Sequence, residues 1–450
     1  MHDLQDKPRR AVLAAVQLSD VTDQEFESSL DELRALAKTL GVTVVGQVTQ
    51  KRSSFDSGAY LGSGKREELK TLVGTPKVAA AGDEDEEAEE KEEAEEEAKP
   101  RFADTILVDH EISPSQARNL EKETGCEVFD RTMVILDIFH RHARSRAAKA
   151  QVEIVRLSYL APRLRETGRG KDRQRGGIGG KGAGESDLEL DRRKIRDRVA
   201  ELQGEIEAME EERRTQRQRR REKSLLARVA LVGYTNAGKS TLMRALTGSE
   251  VYVADKLFAT LDTTVRTLHP ETVPRILVSD TVGFIKNLPH ELVASFKSTL
   301  DEALEASLLA HVVDASDPGW RRQLEVTETV LAEIGAGEVE RLLVFNKIDR
   351  TGDEAAQAAR VAELEAEFPD CFVMSARRPD DVQHVRQRLV DFFSADLVEA
   401  ELRVGWDRQS LRAAIFAECQ VLEERFDENG AIYRARAHPQ TLARLKQALD

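Results

Sequence analysis

The chain has 450 residues, of which 40% are hydrophobic and 33% charged, and its formal net charge is −15. This length and apolar content suffice for two to four domains with hydrophobic cores. Three widely separated cysteines, without a CxxC pair or a Cys/His cluster, argue against a disulfide framework and a zinc site. With no apolar leader and no apolar run of about 20 residues, we expect a cytoplasmic protein without a membrane span.

Residues 1–130 are predicted to form a small α/β domain, because short apolar runs alternate with helical patterns. The predicted strands are AVLAAVQL, VTVVGQVTQ and TILVD. The predicted helices are SSLDELRALAKTL, ended by Gly41, then GSGKREELKTLV and SPSQARNLEKETG. In the last of these, Ser113 and Gln116 have the spacing of a capping box, and Gly125 stands where a C-terminal cap belongs.

The negative charge is concentrated in an insert at 82–99, within one connection of this domain. Twelve acidic residues lie between Asp83 and Glu97, against one base. Such a segment cannot bury apolar surface, so we expect a disordered insert or a solvated charged helix. The net charge therefore argues neither for nor against a nucleic-acid partner.

Residues 131–224 are predicted to form a helical hairpin, because apolar residues recur at alternating spacings of four and three in two segments. The first seam is Ala143, Ala147, Ala150, Ile154, Leu157, Ala161 and Leu164; the second is Ile195, Val199, Leu202, Ile206 and Met209. Since each seam spans only two or three heptads, we expect the two helices to pack antiparallel against each other.

The connection between these helices, at 163–187, reads RLRETGRGKDRQRGGIGGKGAGESD and contains eight glycines. Up to Lys181 it has seven bases and two acids. Loops of this length are usually functional or disordered. A mobile Arg/Lys/Gly strand can follow a polyanion, so we expect contact with RNA phosphates; a flexible solvated linker is the alternative.

A third domain is predicted at 225–396, where apolar strands alternate with helices. The strands RVALVG, RILVSD, AHVVDAS, RLLVFNKID and CFVMSA indicate a mainly parallel sheet covered on both faces. An antiparallel pair is expected around Pro270 to Pro274. Residues 397–450 are predicted to form a small α/β appendage.

A phosphate-binding loop is indicated by GYTNAGKS, which lies between a strand and a helix and satisfies G-x-x-x-x-G-K-S. Backbone N–H groups of such a loop cradle phosphates, Lys239 would reach the β- and γ-oxygens, and Ser240 would ligate magnesium. The predicted phosphate-side residues are Gly233, Tyr234, Thr235, Asn236, Ala237, Gly238, Lys239 and Ser240.

The segment NKID predicts that the base is guanine rather than adenine. Asp349 can accept hydrogen bonds from the N1–H and exocyclic amine of guanine, while Asn346 and Lys347 brace the site. The segment SAR follows the next strand, where a backbone N–H can meet the guanine carbonyl. The predicted base-side residues are Asn346, Lys347, Ile348, Asp349, Ser375, Ala376 and Arg377.

Two further segments have the order expected of GTPase switches. In DTVG, Asp280 can hold magnesium directly or through water, and Gly283 can donate its N–H to the γ-phosphate. In FATLDTTVR, one hydroxyl should close over magnesium, and spacing does not choose among Thr260, Thr263 and Thr264. The predicted contacts are Phe258, Ala259, Thr260, Leu261, Asp262, Asp280, Thr281, Val282 and Gly283.

Phe284 stands where Ras-like proteins place the glutamine that orients the attacking water. A phenyl ring cannot hydrogen-bond to water, so that role is absent or supplied elsewhere. We expect slow hydrolysis in isolation, and Phe284 is equally well suited to packing.

The motifs of this domain and three segments outside it form a specific set: YLGSGKREEL (60–69), ILVDHEISPSQARNLE (106–121), GGIGGKGAGESDLELDRR (176–193), GYTNAGKSTLMRALTG, LFATLDTTVR and DTVGFIKNLPHELVASF. The set resembles the HflX family of ribosome-associated GTPases, within the translation-factor class, over residues 10–380. The resemblance implies a GTPase that docks on the large ribosomal subunit, inserts the basic hairpin near ribosomal RNA and helps to split or rescue stalled ribosomes. It also implies that Thr260 is the switch threonine that ligates magnesium. The predicted catalytic residues are therefore Thr260 with Lys239 and Gly283, the latter two from their motifs.

The sequence departs from the family pattern at two prolines: LDPT is LDTT here, and GPGE is GAGE at 182–185. A second Gly-Lys loop, GSGK at 62–65, is typical of a tight turn that starts a helix, with weak support for an extra anion site. Two other functions stay open. One is a nucleotide-gated RNA-binding module or scaffold with incidental hydrolysis, and the other is an ATP-using RNA remodeller, which NKID opposes. Off the ribosome we expect a monomer.

Overall fold

The computed structural model describes residues 9–74, 102–164, 187–221, 227–248, 257–258, 260–261, 263–286, 288, 302–408 and 410–449. The predicted acidic insert and nearly all of the predicted basic connection lie outside these residues, as do Ala259 and Asp262. The chain divides into two compact units, Met1–His142 with Lys149–Gln203, and Ala143–Ala148 with Gly204–Asp450.

The first unit contains a parallel four-stranded sheet with the strand order β2-β1-β3-β4. Its strands are β1 (Arg10–Gln17), β2 (Thr43–Lys51), β3 (Thr105–Val108) and β4 (Glu127–Asp130). Its helices up to residue 142 are α1 (Asp23–Leu40), α2 (Ser63–Val73), α3 (Pro114–Thr124) and α4 (Arg131–His142). The three strands and three helices predicted from sequence are confirmed, and β4 and α4 are additional.

Local side-chain chemistry sets the ends of α3 as predicted. The Ser113 side chain accepts from the N–H of Gln116, and the Gln116 side chain accepts from the N–H of Ser113. Gly125 then adopts the left-handed conformation, with φ +66°, and its N–H donates to Glu121 O at 2.8 Å. This conformation suits glycine because it lacks a Cβ.

The helix α4 is buried against α1 rather than extended into a hairpin. Its buried apolar residues are Val134, Ile135, Leu136, Ile138 and Phe139. The structure therefore groups residues 131–142 with the N-terminal sheet, whereas the sequence boundary was placed after residue 130.

Two helices follow, α5 (Arg146–Leu160) and α6 (Asp187–Arg221). Arg198 donates to Glu153 at 3.1 Å, and Arg146 donates to Glu205 at 3.0 Å. From Arg146 to Glu153 the chain of α5 advances by seven residues, while their partners on α6 go back by seven, from Glu205 to Arg198. This opposite progression shows that the two helices are antiparallel. Leu202 of the predicted seam is buried, at 2% exposure.

The predicted seam of α5 is only partly correct. Ile154 and Leu157 are half-buried, whereas Val152, Val155 and Tyr159 are buried. The Tyr159 hydroxyl donates to the Asp130 carboxylate at the end of β4. The helix α5 thus buries a face against the N-terminal sheet, which a two-helix seam does not anticipate.

The second unit contains a six-stranded sheet with the order β10-β9-β8-β5-β7-β6, in which only the β6–β7 pair is antiparallel. Its strands are β5 (Ala227–Gly233), β6 (Thr264–Thr267), β7 (Ile276–Asp280), β8 (Leu308–Asp314), β9 (Arg341–Asn346) and β10 (Phe372–Val373). Its described helices are α7 (Lys239–Thr247), α8 (Trp320–Glu333), α9 (Glu354–Glu367) and α10 (Pro379–Ser394). The predicted mainly parallel sheet with one antiparallel pair is confirmed.

Alternate residues of these strands enter two separate cores. Leu231 and Val312 pack on one face with Leu242 of α7 and Leu389 of α10. On the other face, Val313 and Phe345 pack with Trp320 of α8 and Leu364 of α9. Burial on both faces explains why the strands are continuously apolar. Because β7, β5, β8 and β9 are parallel, the polar loops at their carboxyl ends lie at one edge of the sheet.

The C-terminal residues form an antiparallel sheet with the order β11-β13-β12, covered on one face by two helices. The elements are β11 (Val398–Gly405), α11 (Ser410–Glu418), β12 (Gln420–Asp427), β13 (Gly430–Ala437) and α12 (Pro439–Leu449). The predicted small α/β appendage is confirmed. Among the residues that the structure describes, no helix combines the length and apolar character needed to cross a membrane.

Candidate nucleotide-binding site

The phosphate loop leaves β5 at Gly233 and enters α7 after Gly238. Both glycines have a positive φ, of +145° and +98° respectively. A Cβ at Gly233 would lie 2.1 Å from Val312 O, and a Cβ at Gly238 would lie 2.2 Å from Asn346 Nδ2. Only glycine fits these positions, because a side chain would collide with the neighbouring strand or with the NKID segment.

Lys239 lies buried beneath this loop. Its Nζ donates to Gly233 O at 3.0 Å and to Tyr234 O at 2.8 Å. Burial lowers the pKa of Lys239 to about 8, and the nearby Asp280 carboxylate partly opposes that shift. Phosphate oxygens can replace the two carbonyls as acceptors, so the ammonium is positioned for an anion in the loop.

Three oxygens from three segments of the chain meet beside Lys239. Ser240 Oγ lies 2.6 Å from Asp280 Oδ2 and 3.0 Å from Thr260 Oγ1. Thr260 Oγ1 in turn lies 3.1 Å from the same Asp280 oxygen. Asp280 is fully buried, and burial raises its pKa although Lys239 lowers it. The geometry thus places Thr260 in the cluster, while Thr264 begins β6.

This oxygen cluster fits magnesium. Two hydroxyls and one carboxylate are hard donors, and Asp280 Oδ1 is buried without a hydrogen-bond partner among the described residues. Within the described ranges, no group of three or more His, Cys, Asp or Glu side chains could hold a metal. A magnesium ion here would therefore complete its shell with phosphate and water oxygens, as magnesium usually does.

Phe284, directly after the DTVG segment, is hydrogen-bonded to the phosphate loop. The N–H of Phe284 donates to Gly233 O at 3.1 Å, and the N–H of Thr235 donates to Phe284 O at 2.7 Å. A Cβ at Gly283 would lie 2.8 Å from Thr235 Cα and 3.0 Å from Lys239 Nζ. Gly283 is thus held against Lys239, where the prediction places the γ-phosphate.

The side chain of Phe284 is fully buried. Its interpretation as a packing residue is confirmed, and the ring cannot orient a water molecule. The hydroxyl of Tyr234 accepts from the N–H of Lys286 at 2.7 Å. This side-chain hydrogen bond adds to the two backbone hydrogen bonds that join Phe284 to the phosphate loop.

Asn346 joins the phosphate loop to the base-side segments. Its Nδ2 donates to Ala237 O at 2.9 Å, and its Oδ1 accepts from the N–H of Ala376 at 2.9 Å. Lys347, in the left-handed conformation, donates to Asp314 Oδ2 at 2.6 Å. Asp349 is half-buried in the short 3-10 turn that follows. The structure thus assembles NKID and SAR next to the phosphate loop.

Several other predicted site residues have structural contacts. The hydroxyl of Thr281 donates to Leu231 O at 2.8 Å. The N–H of Ser375 donates to Asp381 at 2.8 Å, and the N–H of Arg377 donates to Ser375 Oγ at 3.3 Å. Four apolar members of the predicted set are also buried: Phe258, Leu261, Val282 and Ile348. Asn236 is exposed at the tip of the phosphate loop, with φ +59°.

Sequence reasoning missed three groups that support the site: Asp314, Asp381 and the Tyr234 hydroxyl. Asp314 had a usable signal, because it ends a strand that precedes the NKID strand, and carboxyl ends of neighbouring parallel strands lie together. The contacts of Asp381 and the Tyr234 hydroxyl depend on tertiary packing and leave no local signal.

Three family models match the chain in succession. They are described as GTP-binding GTPase N-terminal (27–81 and 87–140), GTP-binding GTPase Middle Region (142–220) and 50S ribosome-binding GTPase (228–347). The GTPase HflX of Gluconacetobacter diazotrophicus is 53% identical over 453 residues, covering 98% of this chain and 97% of that protein. The chain belongs to the HflX family of GTPases.

Another HflX relative, from Escherichia coli K12, is 37% identical over 96% of this chain and 94% of its own length. A solved GTP-binding protein of Sulfolobus solfataricus, in complex with GDP, is 23% identical with a TM-score of 0.43, covering 85% of this chain and 99% of that one. The resemblance seen in the sequence is confirmed: the protein is a P-loop GTPase of the HflX family, and it binds and hydrolyses GTP.

Proposed function

We propose that this GTPase is a magnesium-dependent, cytoplasmic factor that binds the large ribosomal subunit and helps to split or rescue stalled ribosomes. The matched description, 50S ribosome-binding GTPase, supports the choice of subunit. The basic connection predicted from sequence at 163–187 supports contact with ribosomal RNA. Off the ribosome we propose a monomer.

The observation that carries the proposal is the meeting of Ser240, Thr260 and Asp280 at one point. These residues come from the phosphate loop, the threonine-rich segment and the DTVG segment. Ser240 and Thr260 would hold a magnesium ion, and we expect the threonine-rich segment to close over the site only while the γ-phosphate is present. GTP and GDP would therefore leave different surfaces for a partner to recognise.

The proposed chemistry divides among the chain's own residues. Lys239 is placed to neutralise charge that develops on the β- and γ-oxygens, and the N–H of Gly283 to hold the γ-phosphate. Ser240 and Thr260 would hold magnesium, which would supply neutralisation of phosphate charge. Asp349 would select guanine. Because Phe284 is buried, no side chain at that position orients the attacking water.

This missing group supports activation by a partner. We expect slow turnover by the isolated protein and faster turnover when the ribosome orders the switch segments. The test measures steady-state GTP hydrolysis with purified large subunits, with small subunits as the matched control. Stimulation by large subunits alone is the expected result. Equal rates for the protein alone, with large subunits and with small subunits would contradict the proposed activation.

Splitting needs a separate measurement. Intact ribosomes are mixed with the protein and GTP, GDP or a non-hydrolysable GTP analogue, and the subunits are resolved by sedimentation. We expect free subunits with GTP and with the analogue, because the bound triphosphate sets the closed switch. If the ribosomes stay intact in every nucleotide state while the protein co-sediments, the protein binds without splitting.

The buried Phe284 also favours a second candidate, a nucleotide-gated RNA-binding scaffold in which hydrolysis is incidental. That candidate predicts subunit binding that depends on nucleotide but no stimulation of turnover. An ATP-using remodeller is disfavoured by the NKID segment: Asn346 bonds to the phosphate loop, and Asp349, the proposed guanine reader, follows in the next turn.

A further inference from the structure

The exposed large apolar side chains of the described residues are concentrated in the C-terminal domain, 397–450. Of eight such side chains, five lie there: Val398, Trp406, Phe416, Leu422 and Phe426. Scattered exposed apolar residues are normal, whereas exposed apolar side chains that contact one another can mark an interaction surface.

Two of these side chains form an ordered pair, which we call the aromatic platform. The rings of Trp406 and Phe426 are stacked, with centroids 6.2 Å apart and an interplanar angle of 8°. They are 51% and 59% exposed, respectively. The indole Nε1 donates to Glu428 O at 3.2 Å, so the Trp406 ring is fixed in orientation by the β12–β13 turn.

The domain does not need the platform for its core. Leu402, Ile415, Tyr433 and Leu442 pack between the sheet and its two helices, and each is no more than 4% exposed. Aromatic rings held rigidly at the surface lose little conformational entropy on binding and bury a large area. The platform is therefore suited to docking, and its removal should spare the fold.

The charge around the platform selects the kind of partner. Asp407 follows Trp406, and Asp427 and Glu428 follow Phe426. Two bases lie nearby in sequence. Arg425, directly before Phe426, pairs with Glu423 at 2.6 Å. Arg408 donates to the carbonyls of Ala448 and Leu449 at the end of α12 and lies 3.8 Å from Asp407. Phosphate groups would be repelled by three carboxylates, whereas arginine and lysine would be attracted. A guanidinium also stacks favourably on an exposed indole.

We propose that the aromatic platform docks a basic, arginine-containing segment of a partner protein. The platform shares no residue with the nucleotide site or with the predicted RNA-contacting connection. The inference rests on the proposed function in one respect: it places the partner protein on the large ribosomal subunit.

A site-specific cross-link tests the contact directly. Phe426→p-benzoylphenylalanine is photolysed in the full-length protein with purified large subunits and GTP. The matched control is Phe102→p-benzoylphenylalanine, since Phe102 is another exposed phenylalanine, at 43% exposure, in the other unit. We expect a cross-link from position 426 alone that protease destroys and ribonuclease does not. A ribonuclease-sensitive product would identify RNA and overturn the proposal.

Substitution provides the energetic test. The double variant Trp406→Ala, Phe426→Ala should bind large subunits at least tenfold more weakly, with unchanged basal GTP hydrolysis and thermal midpoint. Phe102→Ala should bind as the original chain does. Equal affinity of the double variant and the original chain would overturn the proposal.

Removing negative charge near the platform distinguishes a basic protein segment from RNA, because the two partners predict opposite changes in affinity for large subunits. Asp407→Asn with Glu428→Gln removes two carboxylates near the platform. Binding should weaken if the partner segment is basic and strengthen if it is phosphate. Strengthened binding would overturn the proposal.

Failure of the inference differs from failure of the proposed function. If the original chain co-sediments with large subunits but the double variant does so equally well, only the platform is excluded. If the original chain does not co-sediment in any nucleotide state, both proposals fall.

The chain's two tryptophans add a solution readout. Trp320 is 1% exposed, so acrylamide quenching of the free protein reports mainly on Trp406. The tryptophan fluorescence of the large subunits is measured separately and subtracted. Bound subunits should then protect Trp406 from the quencher. Unchanged quenching on a saturated complex would contradict docking at the platform.

Discussion

Ser240 Oγ lies 2.6 Å from Asp280 Oδ2, which joins the first turn of α7 to the end of β7. Thr260 Oγ1 contacts the same carboxylate oxygen at 3.1 Å. One buried acceptor therefore holds a hydroxyl of the phosphate loop and a hydroxyl of the threonine-rich segment. A divalent cation placed among these three oxygens would link the same two segments.

The first prediction concerns these hydroxyls. Thr260→Ala and Ser240→Ala should each lower magnesium-dependent turnover at least tenfold, or about 1.4 kcal/mol of barrier, because each removes a metal ligand. Turnover is measured over a magnesium titration, and circular dichroism should stay native. Thr263→Ala is the control and should retain activity. If Thr260→Ala keeps full turnover, Thr263 or Thr264 becomes the switch threonine.

The second prediction concerns base selection. Asp349→Asn should weaken GTP binding and favour xanthosine triphosphate, because the asparagine amide can donate to the oxygen that replaces the guanine amine. Binding of both nucleotides is measured with fluorescent analogues. Asp353→Asn, at the cap of α9, is a control in the same region. Retained GTP affinity without a gain for xanthosine triphosphate would show that Asp349 does not read the base.

The fold could be predicted where local chemistry decides it. Ser113, Gln116 and Gly125 set the ends of α3 through contacts within one helix, so their spacing was sufficient. The strand β4 has only four residues, EVFD, and its pairing with β3 is visible only in three dimensions. The helix α4 is similar: its apolar run does not tell whether it packs on α1 or on a second hairpin helix.

The third prediction concerns Phe284. Phe284→Gln should not create a Ras-like water-orienting group, because the side chain at this position is fully buried. It should instead destabilise the protein by about 2–5 kcal/mol, since a core ring is lost and an amide is buried. Chemical denaturation and basal GTP turnover are compared with those of Phe284→Leu, which should be milder. A faster Gln variant of unchanged stability would contradict the packing role.

The fourth prediction is a pH dependence. His311, in β8, is buried, and its Nε2 has no partner among the described residues. Burial lowers the pKa of His311 to about 3, with smaller contributions from the charges of Arg341 and Lys239. The unfolded chain, with an ordinary histidine pKa of about 6.5, binds the extra proton between these values. His311 should therefore reduce stability as pH falls below about 6.5, by at most about 1.4 kcal/mol per pH unit.

Urea denaturation of the original chain and of His311→Leu, at pH values from 7.5 down to 5, measures this term. The difference in the free energy of unfolding should change with pH only below about 6.5. His384→Leu, at an exposed position of α10, is the matched control. Parallel curves for the original chain and His311→Leu would show that His311 is not buried in its neutral form.

The fifth prediction concerns the basic connection. Replacement of residues 169–181 by a Gly/Ser linker should leave basal hydrolysis intact and abolish most ribosomal stimulation, because the nucleotide site is complete without it. Binding should also lose salt dependence, by a slope of roughly 0.7 to 0.9 for each lost phosphate contact. A control linker that keeps the bases in scrambled order should retain binding. An unchanged salt slope with full stimulation would make the connection a mere linker.

In the candidate site, the residues that could be predicted are those of short motifs, whose residue types recur at a fixed local spacing. GYTNAGKS, DTVG and NKID gave the residues that the structure assembles, and the resemblance selected Thr260. The bond from Asn346 to Ala237 spans 109 residues, and no local pattern encodes it. His311 carries no motif, so only its burial in the sheet shows that it is unusual.

The close approach of Gly238 to Asn346 has a consequence for redesign. A Cβ at residue 238 would lie 2.2 Å from the Asn346 amide nitrogen. The phosphate loop and the NKID segment are therefore in direct contact, with no space for a side chain between them. Asp349, the proposed base reader, lies three residues beyond Asn346, so we expect its substitution to change base preference without disturbing this contact. Changes at Asn346 or Gly238 should instead disturb the phosphate loop itself, so we expect them to alter triphosphate affinity whatever the base.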